Sequence, residues 1–213
     1  MGISAFDSSN TDNYDLQYVP QRLTALELCV LSCYYVQTGE LVVGADRPKT
    51  TVTRDDHCFT PKRICDIDHF IGISIDAGLV ALRTLLNFLG IKLDNHALTE
   101  QATAHTVQQH GLPLITVAQA TSILGATLSA AQLGPMMLAA LQTASKSSAH
   151  FTDAGATVAV ERLGWACYAV SLLIRRHYFD AKGLAQPETL IPDDADANPK
   201  NWHRMEGPEA MMC

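Results

Sequence analysis

Charge is what this sequence has least of. Asp, Glu, Lys and Arg make up 17% of it, against about 25% in an ordinary soluble domain. The deficit is local, because none of the four occurs from Gln101 to Ser145. Basic residues are the scarcer sign, 15 against 22 acidic, for a net charge of −7. That balance argues against nucleic-acid binding through a basic face. A surface this poor in charge faces either partner subunits or lipid. A spanning helix needs about 20 mostly apolar residues. The best run, Leu112 to Leu141, is broken by Gln119, Thr121, Ser122, Ser129, Gln132 and Pro135, so no membrane segment is expected.

Several motifs are also missing. There is no phosphate loop, no Gly-x-Ser-x-Gly and no His-Glu-x-x-His, so no familiar nucleophile, base and oxyanion set is assembled and no cofactor is expected. The N-terminus lacks a basic segment followed by an apolar core, which argues against a signal peptide. Phe6 stands where a myristoylation start wants Ser or Thr, and Cys213 in last place makes no prenylation box. The six cysteines, at 29, 33, 58, 65, 167 and 213, include no Cys-x-x-Cys. They are expected to stay reduced in the cytosol as small apolar residues.

What is present suits one core-bearing domain. Its 213 residues are 47% apolar, enough to fold without a staple. Residues 1–20 are polar and read as a flexible arm. Leu23, Leu26, Val30 and Cys33 share one face of a helix over 22–37. Leu41 to Ala45 reads as a strand, and 48–62 as loop or edge strand. Ile71, Ile73 and Ile75 alternate with Gly72 and Ser74, which predicts strands on either side of a turn at Asp68-His69. Asp76 is then placed to cap a helix carrying Leu79, Leu82, Leu86 and Leu89, closed by Gly90. A weakly amphipathic helix is expected over 95–110, with His96, His105 and His110 on its surface. Residues 112–142 fit strand early and helix late. Residues 156–160 read as a strand and 163–179 as an apolar helix whose last turn, Arg175 to His177, complements the helix dipole. The segment 184–213 is rich in Pro and Asp and is expected to be disordered. The order of elements predicts an α+β domain over 21–183, with a mostly helical domain as the alternative.

One cluster has metal-ligand chemistry. His57, Cys58, Cys65 and His69 lie close in sequence with Asp66 and Asp68. Their spacing fits no finger or ribbon, so strand and turn positions account for them better than zinc does.

Taken together, some segments resemble the α-type subunits of the 20S proteasome. Residues 63–75, Arg-Ile-Cys-Asp-Ile-Asp-His-Phe-Ile-Gly-Ile-Ser-Ile, are similar to that family's Lys-Ile-x-x-Ile-Asp-x-His-Ile-Gly strand pair. Ala77 to Leu85 follows like its next helix. Tyr14-Asp15 and Pro20-Gln21-Arg22-Leu23 look like its Tyr-Asp-Arg and Pro-x-Gly-Arg-Leu. Weaker likeness continues through Gly134-Pro135 and Arg162-Leu163-Gly164 to residue 179. The resemblance implies an Ntn-hydrolase-like αββα four-layer sandwich, here without its last helix and strand pair. It implies a non-catalytic subunit of the core particle's outer ring, in cytoplasm and nucleus, partnered by other α-type and β-type subunits. Arg63, with Lys62 beside it, would line the pocket for activator C-terminal carboxylates. Tyr14, Asp15 and Pro20 would form the gate that controls substrate passage, with Leu16 in place of the family's Arg. The catalytic relatives use a processed N-terminal Thr. Thr50-Thr51 follow Lys49 inside the chain, so a threonine peptidase is the second reading. A helical binding protein with a metal at 57–69 is the third.

Overall fold

The computed structural model describes residues 13–38, 52–54, 57–59, 67–94, 96–100, 105–125, 129–147 and 158–202. Helix dominates. After a π-helical turn at Tyr14–Tyr18 come α1 (Val19–Thr38), a strand pair β1 (Val52–Arg54) and β2 (His57–Phe59), and α2 (Ile67–Leu89). A second strand pair follows, β3 (Ile91–Asp94) and β4 (Ala97–Glu100), then α3 (Val117–Leu124), α4 (Ala130–Ser147) and α5 (Val160–Ile174). The mixture is compatible with α+β in the coarse sense, but mostly helical. The strands form two separate antiparallel pairs, with Thr53 opposite Cys58 and Leu93 opposite Leu98. The described residues do not build the four-layer sandwich.

The helix over 22–37 is found, longer by a turn at its start. Pro20 follows directly on the π-helical turn, where the Val19 N–H bonds the Tyr14 carbonyl. Helix α1 buries Leu23, Leu26, Val30 and Cys33, and also Glu27, Cys29, Leu31 and Ser32. Burial around most of its circumference marks it as a central helix. Helix α2 runs antiparallel to it. Phe88, near the end of α2, stacks against Tyr14 with ring centroids 6.2 Å apart, while Gly78 meets Cys29 farther along.

The strand expected at 71–75 is instead part of α2. The alternation of isoleucines is local, but Ile71, Ser74, Gly78, Leu82, Leu85 and Leu89 are all buried and keep helical spacing through the leucine stripe. Ile73 is left 68% exposed. Burial of a long stripe against α1 outweighs the strand preference of three branched residues. Asp76 therefore lies exposed inside the helix and caps nothing.

The helix expected at 95–110 is also replaced. Residues 97–100 are β4, reached through His96 at φ +64°, and 107–110 are a short 3-10 turn closed by Gly111 at φ +78°. Val160 opens α5 rather than ending a strand, while 156 and 157 lie outside the described residues. Helix α5 is buried from Leu163 to Ser171 on every side and continues as a π-helical turn, Arg175–Asp180.

Both expected flexible ends are corrected where they are described. Residues 13–20 are helical, with Tyr14 and Val19 buried. Residues 184–202 have little regular structure, yet Ile191, Ala197, Asn198 and Pro199 are buried. The Asn198 side-chain amide donates to the Pro192 carbonyl (3.2 Å) and to Tyr168 (3.3 Å), and the Trp202 indole N–H donates to the Ala197 carbonyl (3.2 Å). Side-chain bonds within the segment, and one to Tyr168 of α5, take the place of a backbone ladder. Residues 1–12 and 203–213 lie outside the described residues.

The approach of α1 to α2 depends on Gly78. A Cβ there would collide with the Cβ and Sγ of Cys29, whereas Gly72 faces open space. Gly78→Val is expected to cost about 1–3 kcal/mol by overpacking. Gly72→Ala should gain up to about 1 kcal/mol from helix propensity. Urea unfolding midpoints measure both.

Candidate functional site

Two polar clusters tie distant parts of the chain together. The first is an ion pair at the centre of the molecule. Glu27 lies in the apolar run of α1, and Arg175 begins the π-helical turn after α5. The Arg175 guanidinium donates to Glu27 Oε1 at 2.7 Å, and the Ser171 hydroxyl donates to the same oxygen at 3.0 Å. Glu27 Oε2 accepts the backbone N–H of Leu190 at 2.7 Å. Arg175 also donates to the Pro187 carbonyl at 2.6 Å. The two side chains are 3% and 10% exposed, so their mutual pairing and added hydrogen bonds are what make burial tolerable. Together they fasten residues 186–190 across the end of α5. A cleft of about 200 Å3 lies beside them, lined by Tyr168, Thr189 and Ile191 among others. That is smaller than the about 300–1,000 Å3 usual for small-molecule sites, and both Glu27 oxygens on its wall are already bonded.

The second cluster is a chain of titratable groups. The Lys182 ammonium donates to both oxygens of Asp15 at 2.8 Å and sits 4.8 Å from the centre of the Tyr178 ring. The Tyr178 hydroxyl bonds Asp15 and lies 2.9 Å from His110 Nδ1. His110 Nε2 meets His105 Nε2 at 3.0 Å. The proton positions follow from donor and acceptor capacity. Ionised Asp15 only accepts, so the Tyr178 O–H donates to it. His110 Nδ1–H then donates to the Tyr178 oxygen, and His110 Nε2 accepts from His105 Nε2–H. Rings close the cluster: Tyr14 stacks on His105 at 4.0 Å, and Phe88 packs edge-on to His110 and Tyr178.

The electrostatics follow from this packing. The His110 side chain is fully buried. Burial, then the positive charge of Lys182 and the proximity of His105, lower its pKa to about 4 against the pull of Asp15. Burial also lowers His105. Burial and the bond to Asp15 push the Tyr178 hydroxyl well up. Perturbed groups gathered in one place, beside two π-helical turns, are a common mark of a functional site, though structural networks share it. What this one does chemically is join the Tyr14–Tyr18 turn, the 105–111 segment and the end of α5.

Two buried cysteines of α1 are held as thiols. Hydrogen bonding to Cys167 and burial raise Cys29, and hydrogen bonding to Cys29 and burial raise Cys33, which disfavours thiolates. Of the residues singled out in the sequence, Tyr14 and Asp15 come together in the second cluster and Pro20 lies in the first turn of α1. Lys62, Arg63 and Cys65 lie outside the described residues. His57 and Cys58 are placed on β2 and His69 on α2 by backbone alone. His105 and His110 are not surface residues of a helix as expected. Arg176 and His177 serve other elements, donating to the Ile123 carbonyl (2.7 Å) and bonding the Pro113 carbonyl (2.8 Å). Glu27, Tyr178 and Lys182 were not foreseen. The signal for Glu27 was a lone acid inside an apolar helix face.

No family model, no curated protein and no solved structure matches this chain.

Glu27→Ala leaves Arg175 buried without its counter-charge. A loss of about 3–5 kcal/mol is expected, measured by denaturant unfolding. Tyr178→Phe removes the bond to charged Asp15 and leaves the His110 Nδ1–H without its acceptor, and should cost at least about 1.5–3 kcal/mol.

Proposed function

We propose that this chain is a non-catalytic interaction protein that assembles through the uncharged face of α3 and α4. One observation carries the reading: every exposed residue described there is neutral. Ala118, Gln119 and Ser122 are exposed on α3, and Ser129, Ala131 and Pro135 at the start and first turns of α4. All 15 basic and 22 acidic residues of the chain fall outside 101–145. Depletion of charge marks the centres of protein interfaces. The helix starts follow the same rule. Thr116 with Gln119 forms a capping box, Ser129 with Gln132 makes a related contact, and both use Gln where Glu would serve equally.

A second copy of the chain is the partner this face fits. Two copies of a protein of net charge −7 repel, and contact through a neutral face brings the fewest like charges together. The finer reading, an α-type proteasome subunit in a ring, rests on the resemblance over 14–179. It needs a strand pair at 63–75 and two sheets packed face to face, and 67–89 is one helix. The coarser statement, assembly without catalysis, is therefore the one proposed.

Light scattering during gel filtration tests it. The purified chain should run as a dimer or larger at tens of micromolar. Ala118→Lys with Ala131→Lys would place like charges on the contact and weaken it by about tenfold or more. A monomer at every concentration, or assembly indifferent to the two lysines, would overturn the proposal.

A further inference from the structure

We propose that the Lys182–Asp15–Tyr178–His110–His105 chain is an acid-released latch, holding the Tyr14–Tyr18 turn to the end of α5 at neutral pH and letting it go when His110 gains a proton. The geometry carries the inference. The two imidazoles meet through Nε2 atoms 3.0 Å apart, a contact that holds only one proton. A proton on His110 Nε2 turns that acceptor into a donor and sets two N–H groups against each other, whereas one on His105 Nδ1 leaves the contact intact.

The surroundings give the charge on His110 little relief. Asp15 faces it from the Tyr14–Tyr18 turn but is already bound through both oxygens to Lys182. Lys182, from the far side, repels it. Tyr14 and Phe88 offer rings, and Tyr178 already has Asp15 as acceptor. The His110 side chain has no exposure to water. Opening the latch restores hydration to both rings.

The direction with pH follows from linkage. His110 is held at about 4 in the closed latch, below its ordinary 6.5. Between those values the open form binds more protons. Closure is therefore complete above the ordinary value and is lost as the pH falls toward the lower one. The Tyr178 shift is upward and has no part in this window.

Hydrogen exchange by mass spectrometry on the full chain tests the latch, with labelling times corrected for intrinsic exchange. Between about pH 7 and about pH 4.5, protection at 14–18 and 105–111 should fall by about tenfold or more, while that of 163–173 in α5 holds. His110→Asn keeps a donor toward Tyr178 without titrating, and should flatten the response. His110→Gln provides the same comparison if the first variant does not fold. Three outcomes would each overturn the latch: unchanged protection at 14–18, loss in step with 163–173, or a wild-type pH response in either variant.

Discussion

The buried Glu27–Arg175 pair is the constraint on which the rest of the architecture rests. It joins α1 to the end of α5 and bonds the backbone at Pro187 and Leu190. A stretch of Pro and Asp that could not hold itself together is thereby laid across the core. Such a pair adds little net stability over an apolar filling, but breaking one partner is costly. Its main effect is to specify where the chain goes after α5. Residues further on exploit that placement, with Asn198 bonded to Tyr168 and Trp202 seated over Gly164.

The Asp15–Tyr178 cluster does at one end of α5 what the ion pair does beside it. Arg175 and Tyr178 lie on the same π-helical turn. The wider spacing of that turn lets neighbouring residues serve two networks, one toward α1 and the tail and one toward the Tyr14–Tyr18 turn. The networks differ in chemistry. The first pairs a carboxylate with a guanidinium. The second contains two histidines whose bond depends on one of them being neutral. Rigidity near the tail and responsiveness near the N-terminal turn thus arise from adjacent residues.

The neutral stretch from 101 to 145 makes a third use of polar groups. Its helix starts are held by Thr106 with Gln109, Thr116 with Gln119 and Ser129 with Gln132. These bonds satisfy free amides without introducing charge. Arg176 reaches in from α5 to bond the carbonyls that end α3. Among the described residues, the region is held by neutral bonds within it and by side chains reaching in from beyond α5, and the exposed residues of α3 and the first turns of α4 are neutral.

The sequence alone determined the helices whose burial is continuous. The stripe of α1, the leucines of α2 and the apolar run of α5 could be read from spacing, because a long periodic face has one way to be buried. It also determined the missing charge, whereas the Ser/Thr-x-x-Gln helix starts at 106, 116 and 129 emerged only with the fold. Tertiary structure decided the rest. Ile71 to Ile75 alternate like a strand, and only contact with α1 makes them helix. The 184–202 segment has the composition of a loose tail, and tertiary contacts hold it, among them the bond of Leu190 to Glu27, more than 150 residues earlier. His105, His110, Asp15, Tyr178 and Lys182 are scattered along the chain and carry no common motif. Their coupling exists because antiparallel packing of α1 and α2 brings Tyr14 beside Phe88 and the end of α5. Local spacing encodes which face of an element is apolar; which faces meet is encoded only by their joint burial.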